Sequence, residues 1–221
     1  MINGHTKIYG ILGRPVTHSL SPAMHNAAFR ELGVNAVYVP FPVTDLPRAV
    51  AGLRGLAIAG ASVTIPFKEE IIPLIDELDP QAARMGAVNT LVNREGRLIG
   101  YNTDWLGAVT ALKARTGISG EHFLILGAGG AARAIAFGIL ENAGWVCITD
   151  LDAPRANTLA RELAVEAVPL NSLEQCPASI LINATPVGMA PDLEGIPINP
   201  DILSRFSLVM DIVYRPLTTR L

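Results

Sequence analysis

The chain has 221 residues, half of them hydrophobic and 17% charged, with a net charge of −3 and a mean hydropathy of +0.36. That is ample apolar material for one large domain or two small ones, at roughly 100–200 residues each, and it excludes a disordered tail. No apolar run reaches about 18 residues, which excludes a membrane-spanning helix, and without a basic run the footprint of a nucleic-acid binder is missing.

In chain order, residues 8–12 read as a short apolar strand broken by Gly13-Arg14-Pro15. Ser21-Pro22 opens a helix, with serine as N-cap and proline at N1. Met24, Ala27, Ala28 and Leu32 follow helical spacing, and Gly33 stops it. Residues 36–43, rich in Val, Tyr and Phe, read as strand. Thr44-Asp45 caps a second helix carrying Leu46, Val50 and Leu53. A third strand over 58–64 ends at Ile65-Pro66. A helix is expected from about Phe67, with Ile71, Ile72 and Ile75 on one face. Residues 87–92 and 97–101 form a hairpin around Asn93-Arg94-Glu95-Gly96. This alternation argues a mostly parallel sheet covered by helices.

Thr103-Asp104 caps a helix running to about Thr116, and the domain boundary falls along it, giving 1–104 and 105–221. From His122 the pattern restarts: strand 123–126, a glycine turn, helix 131–142 and strand 145–149. A helix through Ala156, Leu159 and Leu163 follows, then strands over 180–184 and 208–213. Cys147 and Cys176 lie 29 positions apart with no Cys-x-x-Cys pair. That excludes a disulfide framework and a cysteine zinc site, and it fits a reducing cytoplasm. The N-terminus lacks the pattern of a signal peptide. His18 and His25 have no third ligand in register, so no metal site is expected.

Four motifs carry chemistry. The first is Leu124-Ile125-Leu126-Gly127-Ala128-Gly129-Gly130-Ala131-Ala132-Arg133, a buried strand running through a glycine turn into a helix. Gly127 permits the tight turn, Gly129 lets backbone N–H groups approach a pyrophosphate, and the helix N-terminus adds partial positive charge. Ala132 takes the third fingerprint place. Asp150 lies 23 positions after Gly127, near the spacing of the acidic residue that binds an adenosine ribose 2′-hydroxyl. A carboxylate there would repel the 2′-phosphate of NADP by roughly 1 to 4 kcal/mol at about 4 Å. The spacing therefore favours NAD. The bland alternative is a turn aspartate, and Arg155, five residues later, offers a phosphate partner that leaves NADP open.

The second motif runs from Gly60 to Glu70 and holds Thr64, Pro66 and Lys68, one of three lysines against 14 arginines. On the first turn of a helix, dipole and desolvation would push a lysine toward neutrality, suited to moving a proton near pH 7. The plain alternative is a surface lysine paired with Glu69 or Glu70. The third is Asn102-Thr103-Asp104, in which Asp104 is also a plain N-cap candidate. The fourth is Ser19-Leu20-Ser21-Pro22, whose hydroxyls at a helix start form a cradle for a carboxylate; a mere N-cap at Ser21 is the alternative.

Together the motifs resemble the shikimate dehydrogenase family, including its quinate/shikimate dehydrogenases. The resemblance rests on Ser19 to His25, Val63 to Lys68, Gly86 to Thr90, Asn102 to Asp104, Gly127 to Ala131, Asn183 to Pro186 with Gly188-Met189, and Asp211 to Tyr214, all in family order. It implies an α/β enzyme with an N-terminal, mostly parallel substrate domain, a C-terminal Rossmann dinucleotide-binding domain, and a cleft between them. It implies Lys68 and Asp104 as the catalytic pair. Ser19, Ser21, Thr64, Asn89, Asp104 and Tyr214 would contact substrate. Gly127, Ala128, Gly129, Gly130, Ala131, Asp150, Arg155, Thr185 and Ile212 would contact cofactor.

Three departures stand out. NADP-using biosynthetic members usually carry Asn-Arg-Thr where this chain has Asp150-Leu151-Asp152, which is similar to NAD-using quinate/shikimate dehydrogenases. Ser62 stands where asparagine is common. The family continues past the position of Leu221 with a Gly-Met-Leu and glutamine block, so residues 216–221 read as the start of a helix, cut off. The expectation is hydride transfer between shikimate or quinate and NAD(P), with NAD preferred. The alternatives are an NADP-dependent biosynthetic shikimate dehydrogenase and a dehydrogenase-like sensor without turnover. The partner expected is a small-molecule substrate, with the chain a monomer or homodimer and bound to neither nucleic acid nor membrane.

Overall fold

The computed structural model describes residues 2–221, and the chain divides into two compact units, Met1–Thr103 and Asp104–Leu221. The first unit runs β1 (Lys7–Gly13), α1 (Ser21–Glu31), β2 (Ala36–Pro42), α2 (Leu46–Gly55), β3 (Gly60–Val63), β4 (Glu77–Leu78), α3 (Pro80–Met85), β5 (Thr90–Arg94) and β6 (Arg97–Tyr101). Its sheet has the order β2-β1-β3-β5-β6-β4. β1 pairs in parallel with β2 and β3, while the β5–β6 hairpin joins antiparallel to β3. Asp45 caps α2 by accepting from the Arg48 N–H, a contact typically worth about 1 kcal/mol. Leu46, Val50 and Leu53 on that helix pack with Leu12, Ile71, Leu91 and Leu98.

One helix forms as expected but without burying its apolar positions, and one expected helix does not form. Among the described residues of α1 none is buried, and Met24 and Leu32 are 61% and 74% exposed. The helix is held instead by a polar clamp. The Asn26 carboxamide donates to the Tyr38 carbonyl and accepts the Tyr38 N–H, at 2.7 and 2.9 Å, as a neighbouring strand would. The helix expected from Phe67, by contrast, is replaced by successive turns over 65–71 and a 3-10 turn at Ile72–Leu74. Pro73 is the cause, since it lacks an N–H and crowds the carbonyl four residues back. It also biases Ile72 away from helical angles.

The second unit runs α4 (Asp104–Lys113), β7 (His122–Leu126), α5 (Gly130–Glu141), β8 (Trp145–Thr149), α6 (Ala153–Leu163), β9 (Glu166–Ala167), β10 (Ile180–Asn183) and β11 (Leu208–Asp211). α4 stops short of the expected Thr116. The sheet has the order β11-β10-β7-β8-β9 and every pairing is parallel. Both faces are covered, so β7 is apolar and buried from Phe123 to Leu126. Phe123 and Ile125 face α4 and α5, while Leu124 and Leu126 face a second core with Leu181 and Phe206. Gly138 lets α5 approach α4, because a Cβ there would sit 2.8 Å from Val109 Cγ2. Residues 215–218 form bends, and no helix is found over 216–221. Among the described residues no helix is long and apolar enough to cross a membrane.

One surface contact gives the first unit a pH signature. Arg54 bonds the Asp76 carboxylate at 2.5 Å and the Gly96 and Leu74 carbonyls, and Asp76 also accepts the Leu98 N–H. The Arg54 guanidinium, followed by the Leu98 N–H, holds the Asp76 carboxyl below its ordinary value. A carboxylate lowered on folding stabilises above its unfolded pKa, and that contribution is lost as pH falls through the folded one. Asp76→Asn is therefore expected to lower Tm at pH 7. The gap to the parent should close as pH drops through the carboxylate range, measured by thermal melts across pH.

Candidate active site

In the first unit the candidate residues gather at the carboxyl ends of β1 and β3. These strands end side by side, with Leu12 opposite Val63. Gly13 is required there, because a Cβ would collide with the Thr64 methyl and the Val16 side chain. Ser19 and Ser21 follow at the entrance to α1, and Ser19 Oγ accepts the Ser21 N–H at 3.3 Å. Ser21 is not the N-cap as expected. Leu20 is already helical at φ −83° and ψ −9°, so the turn starts one residue early and Ser21 lies inside it. Ser62 accepts the Tyr38 hydroxyl at 2.7 Å. Burial of that phenol raises its pKa above the ordinary value.

Lys68 sits in the turn after β3, not on the first turn of an α-helix, so the dipole argument for a tuned lysine falls away. Its place is set by backbone instead: its carbonyl accepts the Val88 N–H at 2.8 Å. Next to Val88, Asn89 is 9% exposed. Its carbonyl accepts the Val63 N–H at 2.7 Å and its N–H donates to the Tyr101 carbonyl at 3.0 Å. The Asn89 carboxamide donates to Thr103 Oγ1 and accepts the Thr103 N–H, both at 3.0 Å. Asn102 donates to the Ala87 carbonyl at 2.9 Å. Thr64, Lys68 and Asn89 are thus brought to one end of one sheet, and the last residue of the unit is tied to them. Asp104 follows directly as the first residue of α4.

In the second unit β7 has β8 on one side and β10 on the other, so its carboxyl end is the point where strand order reverses. The glycine loop lies there. Gly127 has φ +107°, and its N–H donates to the Thr149 carbonyl at 2.7 Å. A Cβ on Gly127 would lie 3.0 Å from the Ala184 carbonyl oxygen. Gly129 is the extended N-cap of α5, and no side chain among the described residues caps that helix. Its first turn, opening with Gly130 and Ala131, therefore presents backbone N–H groups and the positive dipole end. Thr185 and Ile212 follow the ends of β10 and β11, and the exposed Tyr214 lies two residues further on. Beside Leu151 opens a largely apolar cavity of about 580 Å³, lined also by Leu170, Ile196 and Pro197 with Asn171.

The acidic residue at the end of β8 is oriented differently from the expectation. Asp150 Oδ2 accepts the Ala128 N–H at 2.7 Å, and Oδ1 accepts the Asp152 N–H at 2.8 Å. Its carboxylate braces the loop from behind. Arg155, by contrast, is exposed and reaches within 3.7 Å of where a Gly129 Cβ would stand. Spacing alone could not have shown either orientation. Two further residues escaped assignment: Asn183, fully buried, and Asp211, which it bonds at 3.0 Å. The only signal was their presence in motifs noted for their neighbours.

Residues 11–91 match the family described as shikimate dehydrogenase substrate binding domain. A shikimate dehydrogenase (NADP(+)) of Pyrococcus furiosus is 48% identical over 227 residues, covering all of this chain and 81% of that protein. The chain belongs to the shikimate dehydrogenase family. Among solved members, a shikimate dehydrogenase in complex with NADP+ superposes with a TM-score of 0.92 at 41% identity, over 100% of this chain and 81% of the other. The Thermus thermophilus enzyme in complex with NADP(H) and shikimate gives 0.86 at 40%, over 98% and 82%. Both folds agree with the α/β expectation. The expected preference for NAD and the extension to quinate find no support among these relatives, whose names carry NADP and shikimate.

The loop geometry makes a direct prediction. Gly127→Ala places a side chain at a left-handed φ against a carbonyl, a strain on the order of 1–3 kcal/mol. It should lower Tm by several degrees in calorimetry, whereas Gly120→Ala, at φ +80° in open space, should cost less.

Proposed function

We propose that the chain is an NADP(H)-dependent shikimate dehydrogenase that interconverts shikimate and 3-dehydroshikimate. The observation that carries the cofactor choice is the pairing of an Asp150 carboxylate engaged on backbone with an exposed Arg155 beside Gly129. The loop suits a dinucleotide. A side chain at Gly127 would fill the close approach, the N–H groups opening α5 would hold an anion, and the guanidinium of Arg155 would meet a 2′-phosphate. Ala128, Gly130 and Ala131 complete the loop, and Thr185 and Ile212 line the nicotinamide end.

A bound NADP+, held by the 127–131 loop and Arg155, would supply the acceptor for the hydride leaving the ring carbinol carbon. The chain supplies position and the proton path. Lys68 Nζ takes the proton of the hydroxyl that becomes a ketone and returns it in the reverse direction. Asp104 accepts a hydrogen bond from that hydroxyl and orients it. The Ser19 and Ser21 hydroxyls donate to the substrate carboxylate. Thr64, Asn89 and Tyr214 hold the remaining ring hydroxyls. The turn after β3 places Lys68 through its backbone, so its side chain can follow the proton while its Cα stays fixed.

Steady-state rates with both cofactors test this reading. The specificity constant with NADP should exceed that with NAD, and Arg155→Ala should shrink the difference by roughly 10- to 100-fold, the worth of a charge-assisted hydrogen bond. A higher constant with NAD, or with quinate than with shikimate, would overturn it. Lys68→Ala should lower kcat by about a hundred- to ten-thousand-fold. Shikimate binding in calorimetry with no NADP reduction would favour a sensor over an enzyme.

A further inference from the structure

Asn183 and Asp211 end adjacent parallel strands and stand opposite each other in register. Asn183 is wholly buried. Its Oδ1 accepts the Thr185 N–H at 3.0 Å and the Thr185 hydroxyl at 2.7 Å. Its Nδ2 donates to Asp211 Oδ1 at 3.0 Å and to the Val187 carbonyl at 3.4 Å. Asp211 Oδ1 also accepts the Val213 N–H at 2.9 Å, and Oδ2 accepts the Thr219 hydroxyl at 2.8 Å. The Ile212 N–H donates to the Asn183 carbonyl at 3.2 Å. Two side chains therefore fix Thr185, Val187, Val213 and Thr219, all in the two loops that leave the sheet.

The direction of these bonds is informative. Apart from the bond between them, the two side chains reach forward into the loops. Sheet stability alone would be served as well by an apolar pair of similar size, since replacing both partners of a buried hydrogen bond by apolar groups is nearly neutral. The loops converge again further out: a Cβ on Gly188, at φ +87°, would lie 3.6 Å from Thr219 Cβ.

We propose that Asn183 and Asp211 are positioning residues, a latch that holds the Thr185 loop and the 212–219 segment in the one arrangement that accepts the nicotinamide end of the cofactor. The inference rests on the assignment of Thr185 and Ile212 to that end. The adenosine end, built on the 127–131 loop and Arg155, stands outside the latch.

Calorimetry with the full chain separates the two ends. NADP+ carries both, while adenosine 2′,5′-bisphosphate carries only the adenosine end. Asn183→Asp sets two carboxylates against each other, and Thr219→Val removes one bond while leaving the buried pair intact. Both variants should bind adenosine 2′,5′-bisphosphate as the parent does. Both should bind NADP+ more weakly, by about fivefold for the single lost bond in Thr219→Val and by more for Asn183→Asp. Adding Asp211→Asn to Asn183→Asp should recover part of that loss by removing the repulsion. Equal weakening of both ligands, or of neither, would overturn the latch and leave these residues as sheet structure. If the parent binds neither ligand, the functional reading fails first, and that result is distinct.

Discussion

Three consecutive residues, Ala87, Val88 and Asn89, tie the turn that carries Lys68 to the strand end that leads into Asp104. The Lys68 carbonyl receives the Val88 N–H, Asn102 reaches the Ala87 carbonyl, and the Asn89 carboxamide brackets Thr103. A turn of this length lacks a helix of its own, because Pro73 denies it one. The turn bonds within itself, from the Phe67 N–H to the Thr64 carbonyl and from the Ile71 N–H to the Phe67 carbonyl, and the Val88 N–H fixes the Lys68 carbonyl from outside; a buried group left without such a partner costs roughly 1–3 kcal/mol. The position of Lys68 is thus a property of a strand entry some twenty residues away in sequence. The pairing of β5 with β3 brings that entry alongside.

The second unit solves the same problem with side chains. Parallel strands must be joined by crossovers, and the loops that leave their carboxyl ends need anchors. At β7 the anchor is Asp150, whose carboxylate bonds the Ala128 N–H. At β10 and β11 it is the Asn183–Asp211 pair. Each anchor is a polar group placed one residue past, or at the end of, an apolar strand. In this unit the apolar runs fix the strands in the sheet, and polar residues at or just past the ends of β8, β10 and β11 aim the loops. Packing and site geometry are therefore separable along this unit, with the switch from one to the other at Thr149, Asn183 and Asp211.

What was legible in the sequence follows that division. β1, β2, α2, the β5–β6 hairpin, β7, α5, β8 and α6 are all visible as periodic apolar runs with cap or glycine signals, because burial imposes those periods. Asp45 and Gly127 read correctly because cap and left-handed φ are local demands. The departures have separate causes. Pro73 sits inside an Ile-rich pattern that has helical spacing yet cannot be a helix. Met24 and Leu32 keep helical spacing on a helix held by Asn26, so their period reports no burial. Asn183 and Asp211 are single polar residues whose partners lie up to 28 positions apart, and no window of local pattern contains both.

Asp150 shows most plainly where a reading from spacing stops. A carboxylate about 4 Å from a 2′-phosphate, and facing it, would decide between cofactors. The interaction scales with distance and screening as well as sign, and both oxygens of Asp150 are turned onto backbone N–H groups. A carboxylate that already accepts two N–H bonds has part of its charge offset by those dipoles, and it points at the loop it braces. Arg155 is on the exposed side with its guanidinium toward Gly129. An acidic residue at the expected spacing is therefore compatible with either dinucleotide. The discriminating quantity is which charged group faces the phosphate position, a property of side-chain direction set by the bonds each group has already made.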